Sequence, residues 1–376
     1  MAVLNSWQRI DRVVPGKPWG DGHDGDATIS ADPNTRTTFT GSAAASTGTA
    51  GNTSLQNGDL VKIVQEYGSG AGQWEWNMVI SGGGTTSPVF KKPLHYTYGT
   101  GAQIIVCPQY EDVVISNFTI TAFNNTQNGH AIIVARKSAD YNGTVNGNGA
   151  NGGLGQDGGG QQTGGGFKGG VVGTQSNTAG QGQGTGGVAN SRSQAANGTG
   201  GGGGSNSGDQ GGGGGGNGSS GATDSGTGGS ATGSADLTNM TMGGGGGGGH
   251  QDHATDGGGA GGNGGACFEV WSKVITRTSG GSNTNGGQGY GGSGNQVSAH
   301  GGDGAGGSQL FVGEEINISG INAVGGDNTL TNANGGNGRV ACHYSKSVSI
   351  TSSPSSTNTQ DVTLVEKGGG AFFNLI

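Results

Sequence analysis

Imidazole and carboxylate groups crowd together in the stretch HQDHATD, at His250, Asp252, His253 and Asp256. A donor set of this kind suits zinc, nickel or manganese. A metal site also needs its ligands held in fixed geometry, and no helix pattern surrounds these four, so the expected reading is a solvated loop tip that holds no metal. DGHDGDATI, Asp21 to Ile29, gathers aspartates among glycines in the manner of a calcium loop. It lacks the closing bidentate glutamate of an EF-hand and the regular nonapeptide of calcium-binding β-rolls. It reads instead as an Asp-Gly turn into a first strand. No cofactor is expected.

Catalysis would need groups able to act together. Glu111 with Asp112 and Glu314 with Glu315 are adjacent pairs, which on a strand point to opposite faces and cannot serve as one acid/base couple. They read as solvated strand edges that discourage unwanted pairing. GxGxxG recurs too often at this glycine content to carry weight, and no instance lies at the strand-to-helix junction that dinucleotide binding requires. No nucleophile elbow is bracketed by strand and helix. The chain is expected to be non-enzymatic.

The elements that would position any such groups are unusual. Of 376 residues 93 are Gly, about a quarter against an ordinary ~7%. Charged residues are only 11% of the chain, too few for the usual composition of disorder. A net charge of -8 leaves no basic field for a phosphate backbone, so nucleic acid is excluded as an expected partner. No run approaches the ~20 apolar residues of a membrane helix, and no membrane insertion is expected. The opening MAVLNSWQRIDRVV shows no secretory signal. Cys107, Cys267 and Cys342 form no CxxC pair and read as small buried apolar residues.

Residues 1–100 read as an N-terminal β region. LVKIVQEYG (from Leu60) and QWEWNMVISGGG (from Gln73) alternate apolar and polar residues between Gly and Asn turn signals, and Trp74 and Trp76 are expected to pack on one strand face. Five later segments look alike. They start at Gly101, Gly129, Gly265, Gly307 and Gly338, and each runs through a few apolar residues, a break and a second short β-like run. Repeats that cannot bury a face alone must stack. The expected fold is therefore all-β: a parallel β-helix, or β-solenoid, with long glycine-rich excursions. An immunoglobulin-like sandwich is the alternative. First rungs fall in 101–142, a glycine-rich excursion in 143–264, later rungs in 265–351, and a C-terminal strand with an apolar tail in 352–376. Ile104, Val106, Ile132, Val134, Phe268, Val270, Leu310, Val312, Val340 and Cys342 are the expected inward positions.

The glycine itself lacks the G-X-Y period of collagen. It leaves a β rung and returns to one, unlike a linker between domains. Runs such as Gly200–Gly204, Gly211–Gly216 and Gly243–Gly249 could lie side by side as polyglycine II helices, bonding to one another where no Cβ keeps them apart. The expectation is that this block is ordered.

Poly-Gly runs punctuated by NSRSQAANGT, NGSSGATDSGTGGSATGSADLTNMTM and HQDHATD resemble the glycine-rich tip adhesins of T-even-type phage tail fibres, over roughly residues 143–307. That resemblance implies a polyglycine II sandwich whose variable loops contact a host surface. PWGDGHDGDATIS, Pro18 to Ser30, is similar to the opening of glycine-rich phage and bacterial surface fibre proteins, which implies that β-helix rungs follow. Substantial β sequence on both sides of the glycine block departs from the tip adhesins. The expected function is a structural and adhesive subunit of a fibre, filament or virion appendage, extracellular or on a virion, and the expected partners are copies of itself and a host cell-surface glycan or protein. A carbohydrate- or ice-binding module and a polysaccharide-degrading spike are the alternatives. Thr37, Thr38, Thr40, Thr119 and Thr121 do not recur at one rung position, which counts against ice. Apolar chain ends normally mark an interface, here Val3, Leu4 and Trp7 with Phe372, Phe373, Leu375 and Ile376, although a tail that caps its own solenoid is an equal reading.

Overall fold

Alternating β-branched and aromatic runs form the strands, and Gly-Asn clusters break them. The computed structural model describes residues 3–153, 165–173, 177–188, 191–203, 210–250, 258–291, 299–328 and 333–366. It is almost all β. Among the described residues no helix is long and apolar enough to cross a membrane.

Two sheets carry the strands. An antiparallel sheet has the order β3 (Thr49–Ala50), β2 (Thr35–Gly41), β7 (Tyr98–Val106), β4 (Leu60–Gln65), β5 (Trp74–Ser81), β6 (Val89–Phe90). A parallel sheet runs β1 (Ala27–Ile29), β8 (Gln109–Ile115), β10 (His130–Asn146), β11 (Cys267–Asn283), β12 (Ser308–Asn322), β13 (Arg339–Ser353), β14 (Thr357–Gln360), with β9 (Phe118–Thr119) also on β10. The long strands are irregular in mid-course, as between Ala135 and Ser138. Residues from both halves of β10, such as Ile133 and Tyr141, share one core cluster.

The structure shows a parallel sheet beside an antiparallel one and not a solenoid, and the expected rungs need correction in two respects. The segment from Gly101 divides between sheets: β7 pairs antiparallel with β2 and β4, and only the part beyond Pro108, β8 and β9, enters the parallel stack. Proline supplies no N–H and restricts the residue before it, so the strand breaks there. The expected inward set also falls on different faces. Ile132 stands opposite Glu269, which stands opposite Leu310, and Leu310 stands opposite Ala341. Phe268 and Val270 are therefore one residue out of step with Ile132 and Val134, and a one-residue step turns a side chain to the other face. Ile132, Val134, Leu310 and Val312 pack between the sheets. Phe268, Val270, Val340 and Cys342 pack on the far side of the parallel sheet, Ile104 packs on the far side of the antiparallel sheet, and Val106 is half-buried. Parallel strands buried on both faces read as continuous apolar runs, and such a run does not say which face is which.

The layer between the sheets holds Trp74, Trp76 and Trp271, all fully buried. Trp271 meets Trp76 edge-on at 5.3 Å and Trp74 at 6.1 Å. Lys62, the polar residue within the apolar run of β4, also projects here. Its Nζ lies 2.5 Å from Glu269 Oε1 with both side chains fully buried, and 3.7 Å from the centre of the Trp74 ring. Trp271 Nε1 donates to the other Glu269 oxygen at 3.0 Å. The three cysteines are free and buried.

Removing one partner of a buried ion pair strands the other. Lys62→Ala should lower unfolding stability by about 3–5 kcal/mol, while Lys62→Met with Glu269→Leu should recover most of that loss. Urea titration of the two variants checks this, and equal losses would contradict the pairing.

Candidate functional site

The segment Gly243–His250 sits at the centre of the glycine region, and its hydrogen bonds repeat every three residues. Gly243, Gly246 and Gly249 donate to the carbonyls of Gly265, Gly262 and Gly259. Gly244, Gly247 and His250 donate to Gly216, Gly213 and Gln210, and Gly245 and Gly248 donate to Gln183 and Gly180. The carbonyls rotate in the same way. Those of Gly243, Gly246 and Gly249 accept from Phe167, Gly170 and Gly173, those of Gly244 and Gly247 from Ala305 and Gly302, and that of Gly245 from Gly201. Three residues per turn with no bond inside the segment is the polyproline II repeat, and none of Gly243–Gly249 has a positive φ. Six segments surround it: 165–173, 180–183, 199–203, 210–216, 258–265 and 299–305.

Only glycine fits at this spacing. A Cβ on any of Gly243–Gly249 would stand 1.4 to 2.3 Å from a neighbouring carbonyl oxygen. The few side chains inside the bundle serve its bonding: Asn263 Oδ1 accepts from Gly169 N at 2.9 Å, and Asn217 Nδ2 donates to Gly306 O at 2.8 Å.

One end of the bundle is anchored. Gly147, just beyond β10, bonds to Asn283 at the end of β11 and to Ala266 just before it, so the segments continue the parallel sheet. Phe123, Phe167, Leu237, Met240 and Met242 join the tryptophans in one core cluster, and Trp74 Nε1 donates to Leu237 O at 3.0 Å. At the opposite end Gly173 bonds to Gly249, His250 to Gln210, Gly249 to Gly259, Gly259 to Ala299 and Gly301 to Tyr290. Tyr290 is 37% exposed at that end.

His250 is not on a solvated tip. It is fully buried as the last turn of the central segment, while Asp252, His253 and Asp256 lie outside the described residues. Near it, His300 Nε2 lies 3.1 Å from Asp224 Oδ2, and burial pushes the imidazole below its usual range. Among the described residues no three His, Cys, Asp or Glu side chains are placed to hold a metal. In DGHDGDATI the Asp-Gly turns do lead into β1, with Gly22 and Gly25 at positive φ.

The paired acids need correction. Lys346 Nζ reaches both Glu314 (2.6 Å) and Glu315 (3.5 Å), and Lys137 Nζ reaches both Glu111 (2.9 Å) and Asp112 (3.9 Å). Irregularities between Gly313 and Glu315 and between Ala135 and Ser138 interrupt the alternation, so neighbouring carboxylates converge on one lysine.

Of the expected interface residues, Leu4 is buried in the chain's own core and Trp7 stacks on His95 at 3.5 Å and donates to the Tyr96 hydroxyl. Val3 is exposed. Phe372, Phe373, Leu375 and Ile376 lie outside the described residues.

Sequence reasoning missed a groove of about 270 Å³ on the antiparallel sheet. Tyr67, Thr38, Thr40, Thr49 and Thr100 line it, and no lining residue is charged. The Tyr67 ring lies against Gly101, whose φ is +95° and where a Cβ would come within 2.9 Å of the ring. No local sequence signal announces it, because Thr38, Thr49, Tyr67 and Thr100 come from separate stretches of the chain.

No protein-family model matches the chain, and a search of curated proteins finds no match.

Gly247→Ala should disrupt the bundle and cost at least the ~1–3 kcal/mol of an overpacked core. Gly153→Ala, where a Cβ meets nothing within 4 Å, should be close to neutral. Hydrogen exchange should show Gly243–Gly249 amides protected in the wild type and freely exchanging in Gly247→Ala. Free exchange in the wild type would contradict the bonding pattern.

Proposed function

We propose that the protein is a non-enzymatic structural and adhesive surface component, in which a polyglycine II bundle mounted on a parallel sheet presents its far end as a contact surface. The observation that carries this reading is the six-neighbour bonding of Gly243–His250. Such a bundle needs few side chains in its interior, so residues at its far end are free to vary without disturbing what supports them. The resemblance to glycine-rich fibre proteins agrees with an extracellular or virion location and with a cell-surface glycan or protein as partner. Tyr290 at the far end is the kind of rigid aromatic anchor that dominates contact energies.

A carbohydrate-binding module is the second reading, favoured by the groove at Tyr67. Aromatic faces and neutral hydroxyls suit a sugar, and the absence of lining charge suits an uncharged one. Retention of the purified protein on intact bacterial cells and on a neutral glycan array separates the two. Loss of cell retention in Tyr290→Ala supports the bundle end, and loss of glycan retention in Tyr67→Ala supports the groove. Unchanged retention in Tyr290→Ala would count against the first reading.

Self-association is part of the proposal. Arg9 Nη2 donates to Thr363 O at 2.9 Å, bringing the two end segments together; Val362 (69% exposed) and Val365 flank Thr363 in sequence, and Val3 is exposed as well. Val362→Asp with Val365→Asp should turn assemblies into monomers in sedimentation, with unchanged β signal. Assembly that persists would remove this surface from the interface.

A further inference from the structure

Between the two sheets lies a second acidic group that the Lys62–Glu269 pair does not use. Glu66, just after β4, is buried at 1% exposure, and His130, which opens β10, is fully buried. His130 Nε2 lies 3.6 Å from Glu66 Oε2 and Nδ1 lies 4.0 Å from Glu269 Oε1. These separations are too long for hydrogen bonds but short enough for strong charge coupling in a dry site. Both ring nitrogens and Glu66 Oε2 have no hydrogen-bond partner. Glu66 Oε1 accepts from Gln103 Nε2 of β7 at 2.7 Å.

The charged surroundings are already matched. Lys62 from β4 is paired with Glu269 from β11. Arg36 from β2 is paired with Asp32 at 2.7 Å and also donates to the His130 carbonyl. Cys107, Cys267 and Tyr67 are the other titratable neighbours, and burial drives both thiols up, keeping them neutral. A net charge added at Glu66 or His130 would find no free counter-charge, and isolated buried charge is costly.

We propose that Glu66 and His130 carry one proton between them as a unit, so that the joint between the two sheets keeps constant charge through mild acid. Burial raises the Glu66 carboxyl to about 7 from an ordinary 4.5. Burial, with Lys62 and Arg36 nearby, holds the His130 imidazole well below its ordinary 6.5. Taken alone, Glu66 stabilises the fold most below pH 4.5, and that stability is lost as pH rises to about 7. Taken alone, His130 stabilises it above pH 6.5, and that stability is lost as pH falls. Between 4.5 and 6.5 the unfolded pair holds one proton, on His130, and the folded pair also holds one, on Glu66. The two slopes cancel. Below 4.5 the unfolded pair takes a second proton that the folded pair refuses, and acid destabilises the joint.

The test is denaturant unfolding of the full chain from pH 4.5 to 6.5, with each variant expressed relative to wild type so that other titrating groups drop out. Glu66→Gln should lose folding equilibrium constant relative to wild type as pH falls, by up to about tenfold per pH unit. His130→Gln should lose it by a similar factor as pH rises. Ratios to wild type that stay flat with pH in both variants would overturn the proposal. If a variant fails to fold, the carbon chemical shifts of the Glu66 carboxyl and the His130 ring in wild type decide instead: constancy of both across this range is expected, and titration of either overturns the proposal.

Discussion

A methyl group on Gly247 would stand 1.4 Å from the carbonyl oxygen of Gly202, and comparable collisions recur at every glycine of the central segment. The glycine region exists because that methyl is missing. Extended chains with a three-residue repeat point their N–H and C=O groups outward in rotation, and they can bond to neighbours on all sides only if they approach to backbone contact. A quarter of the chain is glycine, and much of it is given to that approach. Each bond contributes about 1 kcal/mol net, against about 1–2 kcal/mol of backbone entropy per ordered residue. Bonds alone leave such a bundle marginal, and the apolar base of Phe167, Met240 and Met242 against the tryptophans explains how it can stand.

The base in turn depends on the two sheets meeting. Leu60, Lys62 and Val64 project from one face of β4 toward the parallel sheet, and the residues they meet, Trp271 and Glu269, come from a strand more than two hundred positions away. The same layer therefore holds the antiparallel sheet, the parallel sheet and the foot of the bundle. Its polar members are matched in place, with Lys62 to Glu269 and Arg36 to Asp32. Polar groups so placed favour one docking of the sheets over others, since any slip would separate buried charges.

Much of this was legible in the sequence, and the parts that were not share a cause. The stacking segments from Gly129, Gly265, Gly307 and Gly338 were visible because each carries a bounded apolar run, and they do pair in parallel. The order of the glycine block was visible in the absence of any other stabilising composition. The register was hidden, because Ala266 rather than Gly265 stands level with Gly129 and both faces of the sheet are buried. The Lys62 site was hidden because alternation in LVKIV reads as a solvent face until a second sheet covers it. A charge flanked by apolar residues two positions away on either side, as in LVKIV and CFEVW, was the available clue. Bulges erased the expected separation of Glu314 from Glu315, and no local sequence rule announced them.

The neighbours of the central segment come from both directions along the chain. Residues 165–216 supply four of them and residues 258–305 supply two, so the segment lies in the middle of its own enclosure in sequence as well as in space. During synthesis its donors to Gly259, Gly262 and Gly265 and its acceptors from Gly302 and Ala305 stay unsatisfied until those residues emerge. Loop closure must precede most of the bonding reward, the condition that makes topologies with distant contacts slow to form. The six-neighbour arrangement of the finished bundle therefore places much of its bonding late, after distant parts of the chain have come together.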